Sequence, residues 1–489
     1  MTLETDTFVS PAPGELRYEI INADPGEVVE IAPGIDPVVS FARITINEDL
    51  TLAGQGADAT SIFGPGSEDR IFDIDSPAVV TIRDLTLRGG DAADGFTTGG
   101  GGGSPGQGGG AILNDADLTL NRVALLDNQA GTGGSGAKGA DGNPASPGGM
   151  GGTGGAGGAI SNRVGGDLTV IGSTFQENSA GDGGDAGDGG DGTGAGFDRV
   201  AGAGGTGGTA QGGGAISNVG QLTVVNSTFV LNRSGLGGAG GDLGANGLPP
   251  AGGGGGAGGA GGVGGAIDQG GAGSLTLINS TIAGNVADLG GPGGMGFVNP
   301  GAAGTDGAGG GTFIFTGPSA IVVANTIYSQ NTATTGSNCA GPGTITGGSN
   351  LSFPAGGCPP SFSNGNPQLG LLEDNGGPTR TMALGAGSAA INQVAVGSAN
   401  CPGADQRGIA RPQGPTCDIG AFEVQMAAPP APAPAPAPAP AQVTPTAPGA
   451  TPAATKKCKK AKKKKNRSVG TAAASKKKKS KCAKKKRKK

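Results

Sequence analysis

The sequence has no histidine and no tryptophan, and aromatic types supply only 3% of its 489 residues. Without histidine, neither a Ser-His-Asp nor a Cys-His nucleophile system can form, and zinc cannot be bound through imidazole. The shortage of aromatic rings also removes the usual flat surfaces on which a sugar stacks. Function classes that depend on these side chains are therefore excluded at the outset.

A membrane-spanning segment is also missing, because no apolar run approaches the roughly 20 residues needed to cross a bilayer. The first residues, 1–6, have neither the basic region nor the apolar core of a secretory signal. Either the protein is cytoplasmic or its true start lies upstream of Met1. We favour an upstream start, because the cysteine pattern described below fits an exported protein.

Charge is distributed unevenly along the chain. Residues 456–489 hold 20 of the 33 Lys and Arg residues and no Asp or Glu, which leaves 13 basic against 38 acidic groups elsewhere, a net charge of −25. An acidic body repels polyanions, whereas a polycationic segment attracts them. We therefore expect any anionic partner to bind through Lys456–Lys489.

Glycine is abundant, with 108 residues, and glycine pairs open a repeated unit. The unit runs from Gly-Gly-Ala-Ile through an alternating strand to a closing Asn. Four copies place Ile112, Ile160, Ile216 and Ile267 in register, 48, 56 and 51 residues apart, and a looser copy closes at Asn331. Because the alternation has the period of a half-buried strand, the repeats predict an all-β solenoid, a right-handed parallel β-helix.

Stacking of these turns would align equivalent side chains. Phe175, Phe229, Ile282 and Tyr328 each stand three residues before a closing Asn and should lie above one another. The closing asparagines should then form a ladder of amide hydrogen bonds, as in other in-register parallel stacks. The alternative function for this row is a ligand-binding edge.

Residues 28–90 should supply further turns, without glycine insertions. Strands are predicted at residues 38–41, 44–46, 50–52, 71–74 and 79–82. Before them, residues 14–22 have Leu16, Ile20 and Ile21 at helical spacing. This segment predicts a short amphipathic helix that caps the open end of the solenoid.

Glycine-rich insertions separate the repeat units, and residues 133–144 and 181–192 run as Gly-x-y triplets. Proline is too sparse there for a collagen triple helix. The aspartates from Asp182 to Asp191 lack the apolar position of calcium-binding β-roll repeats. We expect flexible, solvated insertions at one corner of the coil; packed polyglycine or order induced by a partner is the alternative.

The six cysteines fall into two groups. Pairing Cys339 with Cys358, and Cys401 with Cys417, would close two short loops, although four cysteines allow three connectivities. Metal binding is the rival function, but no C-x-x-C spacing exists and histidine is absent. Disulfides indicate an oxidising, exported environment. The two tail cysteines, 458 and 482, are expected to be free or paired with each other.

The repeat motifs resemble a known class of proteins. The phrase GGAIS followed by LTVVNSTFVLN is similar to the repeats of bacterial polymorphic outer-membrane-type and pectin lyase-like β-helix proteins. The segment GELRYEIINADPGEVVEIAPG looks like the N-terminal region of such surface proteins. This resemblance implies an exported, envelope-associated protein.

The C-terminal motifs are more specific. The segments NPQLGLLEDNGGPTRTMALGAGSAAIN and ADQRGIARPQGPTCDIGAFE resemble the choice-of-anchor Q module that ends many bacterial β-helix proteins. The whole resemblance covers roughly residues 10–425. It implies an interchangeable C-terminal anchor and no known enzymatic activity.

These patterns divide the chain into five parts. They are an N-terminal cap at 1–27, a parallel β-helix with Gly-rich insertions at 28–335, a C-terminal β-helix end or anchor-Q-like module at 336–425, a Pro/Ala linker at 426–455, and a Lys-rich disordered tail at 456–489. The linker should be an extended, semi-rigid spacer.

The sequence offers few residues that could form a catalytic site. Asp73, Asp75, Arg83 and Asp84 fall within two adjacent turns, where carboxylates with an Arg base could cleave a glycan. Outward Asp-x-Asp pairs are more often solvated surface. We therefore predict that the chain is not an enzyme, and assign no catalytic, metal-ligating or cofactor-binding residue and no cofactor.

The function predicted from these features is a non-catalytic, adhesin-like scaffold at the cell surface or outside the cell. Its basic tail, Lys456–Lys489, should tether it to anionic cell-wall polymers or lipid headgroups, and a glycan or a neighbouring cell surface is a further expected partner. A monomer is expected. A polysaccharide lyase or hydrolase is the first alternative, and a polyanion or nucleic-acid binder acting through the tail is the second.

Overall fold

The computed structural model of the chain describes residues 10–425, apart from 67–68, 195–198, 247, 249–253, 318–319, 399–400 and 402. The predictions for the Pro/Ala linker at 426–455 and the Lys-rich tail at 456–489 lie outside the described residues, as do Cys458 and Cys482. Among the described residues, no helix is long and apolar enough to span a membrane.

The fold is a parallel β-helix with one short α-helix, α1 (Leu16–Ile21). In chain order the strands are β1 (Glu27–Glu30), β2 (Ile44–Ile46), β3 (Leu50–Ala53), β4 (Ser61–Phe63), β5 (Phe72–Ile74), β6 (Val79–Arg88), β7 (Ile112–Asn114), β8 (Asp117–Leu126), β9 (Ile160–Asn162), β10 (Asp167–Ile171), β11 (Thr174–Gln176), β12 (Ile216–Asn218), β13 (Gln221–Val225), β14 (Thr228–Val230), β15 (Ile267–Gln269), β16 (Ser274–Ile278), β17 (Thr281–Ala283), β18 (Thr312–Ile314), β19 (Ile321–Ala324), β20 (Ile327–Ser329), β21 (Cys339–Ala340), β22 (Leu351–Phe353), β23 (Leu369–Glu373) and β24 (Thr381–Leu384).

Two parallel sheets wind along the coil. The long sheet joins β1, β3, β4, β6, β8, β10, β11, β13, β14, β16, β17, β19, β20 and β22, and the second sheet joins β2, β5, β7, β9, β12, β15, β18 and β21. Among the strands of the described residues, β23 and β24 are the one pair that runs antiparallel. The predicted right-handed parallel β-helix is confirmed.

The core follows from the period-two alternation of each strand. Leu118, Leu168, Leu222 and Leu275 pair in register on successive turns and are buried. The predicted aromatic stack is also present, since Phe175 and Phe229 lie in register with ring centroids 4.6 Å apart. Inward side chains therefore meet their own equivalents on the next turn, which fixes the register.

The predicted asparagine ladder is confirmed inside the coil. Each side-chain amide donates to the carboxamide oxygen of the next turn, over 2.8–2.9 Å, through the series Asn128, Asn178, Asn232, Asn285, Asn331 and Asn338. These residues are at most 3% exposed. The row therefore satisfies buried polar groups rather than forming a ligand-binding edge. A second ladder, not predicted, links Asn114, Asn162 and Asn218.

The N-terminal part differs from the predictions in two places. Helix α1 buries Leu16 and Ile20, but Ile21 is 61% exposed. Arg17 is buried and donates to the backbone carbonyl of Arg43 at 2.8 Å, so α1 covers the end of the second sheet with a charged side chain as well as apolar ones. The strand predicted at residues 38–41 is wrong, because Phe41 has φ 66° and is 75% exposed.

The glycine-rich insertions form an ordered two-layer body, which we name the glycine slab. It consists of extended segments within residues 91–110, 129–158, 179–214, 233–265 and 286–311, apart from the undescribed residues 195–198, 247 and 249–253, and the last four ranges each follow a closing Asn. The backbone N–H of Gly133 and of Gly136 donates to the carbonyl of Asp182 and of Asp185, each at 2.8 Å. Bonds recur every third residue, the period of a polyproline II helix.

Hydrogen bonds also join the two layers of the slab. Gly152 donates to the Gly134 carbonyl at 2.8 Å, and Gly208 donates to the Gly184 carbonyl at 2.8 Å. The expectation of flexible, solvated insertions is therefore wrong, and packed polyglycine, the alternative, is what the structure has. The physical reason is that an extended segment cannot pair its own backbone N–H and C=O groups, whereas stacked segments supply donors and acceptors to each other.

The aspartates from Asp182 to Asp191 serve this packing. The carboxylate of Asp182 accepts the backbone N–H of Leu236 at 2.6 Å, and that of Asp188 accepts the N–H of Asp242 at 2.8 Å. They satisfy the outermost donors of the neighbouring segment. In the described part of the chain, no group of three or more His, Cys, Asp or Glu residues is placed to hold a metal ion.

Residues 366–425, which we name the C-terminal module, fold back onto the long sheet. The predicted disulfides Cys339–Cys358 and Cys401–Cys417 are both formed, which confirms that pairing. The Asp-Gln-Arg-Gly motif has a structural role inside the module, because Arg407 donates to buried Asp405 at 2.7 Å.

Candidate functional site

The acidic candidates named from the sequence lie in separate places. Asp73 is on β5 in the second sheet and forms ion pairs with Arg43 and with buried Arg70, the latter at 2.7 Å. Asp84 is in the long sheet, and Asp75 forms no ion pair in the described part of the chain. The four residues therefore do not form one site.

Asp84 lies where the long sheet bends, with φ 57°. Its carboxylate accepts hydrogen bonds from Arg122 at 2.6 and 2.7 Å and from Arg83 at 3.0 Å. Burial acts to raise the pKa of Asp84, but the hydrogen bonds from Arg122 and Arg83 outweigh it, so the pKa is lowered. A carboxylate that two arginines keep ionised is a poor proton donor. We therefore assign this cluster a structural role: it stabilises the bend of the long sheet.

A groove lies between the outward face of the long sheet and the C-terminal module. Its first chamber has a volume of about 200 Å³ and is lined by Asp58, Arg88, Gln176 and Arg380, among others. Arg88 and Arg380 are about half exposed, at 42% and 53% of the side chain. Arg380 is 3.6 Å from Asp58, a loose ion pair that leaves its guanidinium open to a ligand.

The second chamber has a volume of about 420 Å³ and shares Gln176 with the first. Val230, Ala283 and Ser329 form its floor, each in register with Gln176 on a later turn. The hairpin β23–β24 forms its wall. Together the two chambers, which we call the groove, cross the coil from turn to turn, the direction that a linear polymer would take.

A column of left-handed residues follows the strands that form the groove. Asp127 and Glu177 occupy it on adjacent turns, with φ 53° and 56°, and Leu231 and Gln330 continue it along the second chamber. The Asp127 N–H donates to the Gln176 carbonyl at 3.2 Å, and this bond fixes the position of one turn relative to the next. Neighbouring strands are about 4.8 Å apart, so Asp127 and Glu177 stand side by side, each directly after a residue that lines the first chamber, Leu126 or Gln176.

The electrostatics of this pair raise the pKa of one of its members. Partial burial raises the pKa of Asp127, and the charge of Glu177 and a hydrogen bond between the two carboxyls raise it further, while Arg88, at 3.4 Å, opposes the shift. Asp127 therefore keeps its proton to a higher pH than an ordinary aspartate does. A carboxyl that holds its proton more tightly, next to a second carboxyl, can supply an acid and a base at one place.

One buried amide holds the module wall against the sheet. Gln406 is 3% exposed, donates to the Thr379 hydroxyl at 2.9 Å and to the Thr174 hydroxyl at 3.0 Å, and accepts from the Thr228 hydroxyl at 2.8 Å. It also donates to the Arg380 carbonyl at 3.2 Å. Gln406 thus positions Arg380, the cation of the first chamber, relative to two turns of the coil.

No family model matches the chain, and no curated protein matches it. Solved structures do resemble it: a crystal structure of pectate lyase Pel9A is 14% identical, with a TM-score of 0.34, over 84% of this chain and 91% of that one. A PL6 alginate lyase in complex with a trisaccharide is 13% identical, with a TM-score of 0.21, over 76% of this chain and 88% of that one. These structures share the β-helix fold of this chain.

The comparisons correct one prediction. The expectation that the chain is not an enzyme is contradicted, because the similar solved structures include a pectate lyase and several alginate lyases. At these identities the likeness concerns the fold, so any chemistry must be argued from this chain's own residues. The polymorphic outer-membrane-type repeat and the choice-of-anchor Q module stay predictions.

The residues of the groove were missed at the sequence level, although a signal was present. In two consecutive repeats an acidic residue stands directly before the closing Asn, in the phrases LLDN and FQEN. Since those asparagines stack, Asp127 and Glu177 had to be neighbours. Arg380 carried no such signal, because the position of the C-terminal module is set by contacts with residues more than 200 positions earlier.

Proposed function

We propose that the chain is a polysaccharide-active pectin lyase-like protein that binds an acidic glycan along the groove. Arg88 and Arg380 would bind the carboxylates of the polymer, since guanidinium groups pair well with carboxylates. Asp127 and Glu177 would act as the acid–base pair. The observation that carries the proposal is a pair of carboxyls on adjacent turns, directly after residues that line a groove crossing the turns.

The reaction that fits an acidic glycan is a β-elimination. A base removes the proton from the ring carbon next to the uronate carboxylate, the bond to the leaving glycosidic oxygen breaks, and a carbon–carbon double bond forms. Glu177 is placed to take the proton and Asp127 to give one to the leaving oxygen. Arg88 would stabilise the charge that develops on the carboxylate.

Substitution of either carboxyl tests the proposal. We expect Asp127→Asn and Glu177→Gln to lower the rate of depolymerisation of polygalacturonate or alginate roughly 100-fold or more, because each removes one proton-transfer group. The assay follows new reducing ends together with the ultraviolet absorbance of the unsaturated product. Asp115→Asn is the matched control, since Asp115 is another half-exposed carboxylate near an arginine. No cleavage of any acidic polymer by the unaltered protein, or full activity in both variants, would refute the proposal.

We also propose an extracellular location with a tail-mediated tether, which completes the role of a protein acting on polymers outside the cell. Two disulfides support an oxidising environment. The composition of Lys456–Lys489 supports binding to anionic cell-wall polymers or lipid headgroups. The resemblance to choice-of-anchor Q proteins agrees with an envelope-associated chain.

A further inference from the structure

The two chambers of the groove differ in chemistry. The first contains the charged side chains of Asp58, Arg88 and Arg380. The second has no charged and no aromatic residue in its lining: it consists of aliphatic side chains, small residues and side-chain amides. A polymer lying across both would therefore present a carboxylate to one chamber and an uncharged, partly apolar group to the other.

The aliphatic side chains of the second chamber face solvent. Leu371 is 77% exposed and Leu231 is 52% exposed, and Met382 lies beside them in the lining. Exposed aliphatic surface that is grouped in a concave chamber gains free energy when an apolar group covers it. The chamber lacks the rings needed to stack on a sugar face, so the apolar group must be a substituent of the sugar.

Amide groups stand next to this aliphatic surface. In the described part of the chain, neither the Gln176 nor the Gln330 side chain makes a hydrogen bond within the protein. Their N–H donors suit a carbonyl oxygen, and the leucines suit a methyl group. Methyl and carbonyl side by side are the two parts of an acetyl group.

We propose that the second chamber binds the acetyl substituents of the polymer, and that the protein prefers O-acetylated acidic glycans. This inference rests on the proposed function, because the first chamber must bind the same polymer through Arg88 and Arg380. Continuity of the chambers through Gln176 places a sugar next to the one held by the arginines. One buried methyl group and one hydrogen bond correspond to a preference of roughly 10-fold to 20-fold.

The test compares one acetylated acidic polymer with the same preparation after alkaline deacetylation. Binding is measured by titration calorimetry with the Asp127→Asn variant, so that cleavage does not alter the ligand, and cleavage is measured with the unaltered protein. We expect about 10-fold tighter binding of the acetylated polymer. Leu371→Ser should remove that preference, so that the variant binds the acetylated and the deacetylated polymer equally well.

Leu289→Ser is the matched control, because Leu289 is 54% exposed and belongs to the glycine slab rather than the groove. Equal binding of both polymers, or tighter binding of the deacetylated one, overturns the acetyl preference alone if the deacetylated polymer is still cleaved. If neither polymer is bound or cleaved, the proposed function itself fails. A preference that survives Leu371→Ser places the acetyl group elsewhere and overturns the assignment of this chamber.

Discussion

At Asp268 the chain holds a partly buried carboxyl that has no counterion among the described residues. Asp268 lies on β15, in register with Ser217 and Phe313, and its side chain faces Gly212 of the glycine slab. Its Oδ1 atom is inaccessible and has no hydrogen-bond partner in the described part of the chain. None of these neighbours carries a charge, and burial alone raises the pKa of Asp268 to about 7. The carboxyl is therefore neutral in the folded protein under mildly acidic conditions.

Asp268 should make stability depend on pH. At a pH below 3.8, the ordinary pKa, the group is protonated in both states; between there and about pH 7 only the unfolded chain releases the proton, so stability falls as pH rises. We expect Asp268→Asn to be more stable than the unaltered protein at pH 8, by on the order of 2–4 kcal/mol, with little difference at pH 4. Thermal unfolding of the variant and of the unaltered protein at both pH values measures this difference in stability. Asp188→Asn, at an exposed slab position, should leave the pH dependence as it was, and an equal effect of Asp268→Asn at both pH values would contradict the argument.

Single residues also show how far the sequence predicts the structure. Phe175 and the closing asparagines were predictable because a parallel coil repeats its side chains from turn to turn, so an alignment of repeats is also a map of contacts. The same alignment places Asp127 beside Glu177. It cannot place Gln406, whose partner Thr228 is 178 residues away and belongs to no repeat shared with it.

At the scale of elements, the glycine slab shows why composition alone wrongly predicted flexible insertions. A glycine-rich segment in isolation is a flexible chain, because glycine loses the most conformational entropy on ordering. Here each segment borders others, and the backbone N–H of Gly208 reaches the Gly184 carbonyl at 2.8 Å. A Cβ atom on Gly208 would overlap the carbonyl oxygen of Gly152. Glycine is required by close packing of backbones, not by turns.

Replacement of one packed glycine tests this explanation. We expect Gly208→Ala to lower the free energy of unfolding by roughly 1–3 kcal/mol or more, because the methyl group must push apart two hydrogen-bonded backbones. Gly99→Ala is the matched control: its Cβ would meet nothing within 4 Å, and we expect a change of about 0.5 kcal/mol or less. Chemical denaturation measures the free energy of unfolding of each variant, and amide hydrogen exchange of residues 179–214 measures the local stability of the slab. Equal stability of the two variants would mean that the slab is not packed in solution.

At the scale of the whole molecule, the distribution of charge sets the roles of its parts. The chain outside the tail carries a net charge of −25, yet the groove presents Arg88 and Arg380 to solvent. An acidic polymer would therefore be repelled by most of the surface, and Arg88, Arg380 and Lys456–Lys489 would supply the cations that hold it. The groove would bind a polyanion by its shape, and the tail would bind one by its charge alone, independently of the groove.

Removal of the tail should separate the two modes of binding. For the full chain we expect binding to anionic vesicles or wall polymer to fall roughly 1,000-fold between 50 and 200 mM salt, because a polycation releases condensed counterions when it binds. A chain ending at residue 425 should lose this salt-sensitive binding and keep its activity on polysaccharide, since the groove lies within residues 58–382. Replacing the lysines at 476–479 by Gln is the graded control and should reduce the salt slope in proportion. If the truncated chain stays on the anionic surface as firmly as the full chain, the tether lies in the folded body. If the full chain binds duplex DNA and wall polymer with equal affinity, the tail does not discriminate between polyanions.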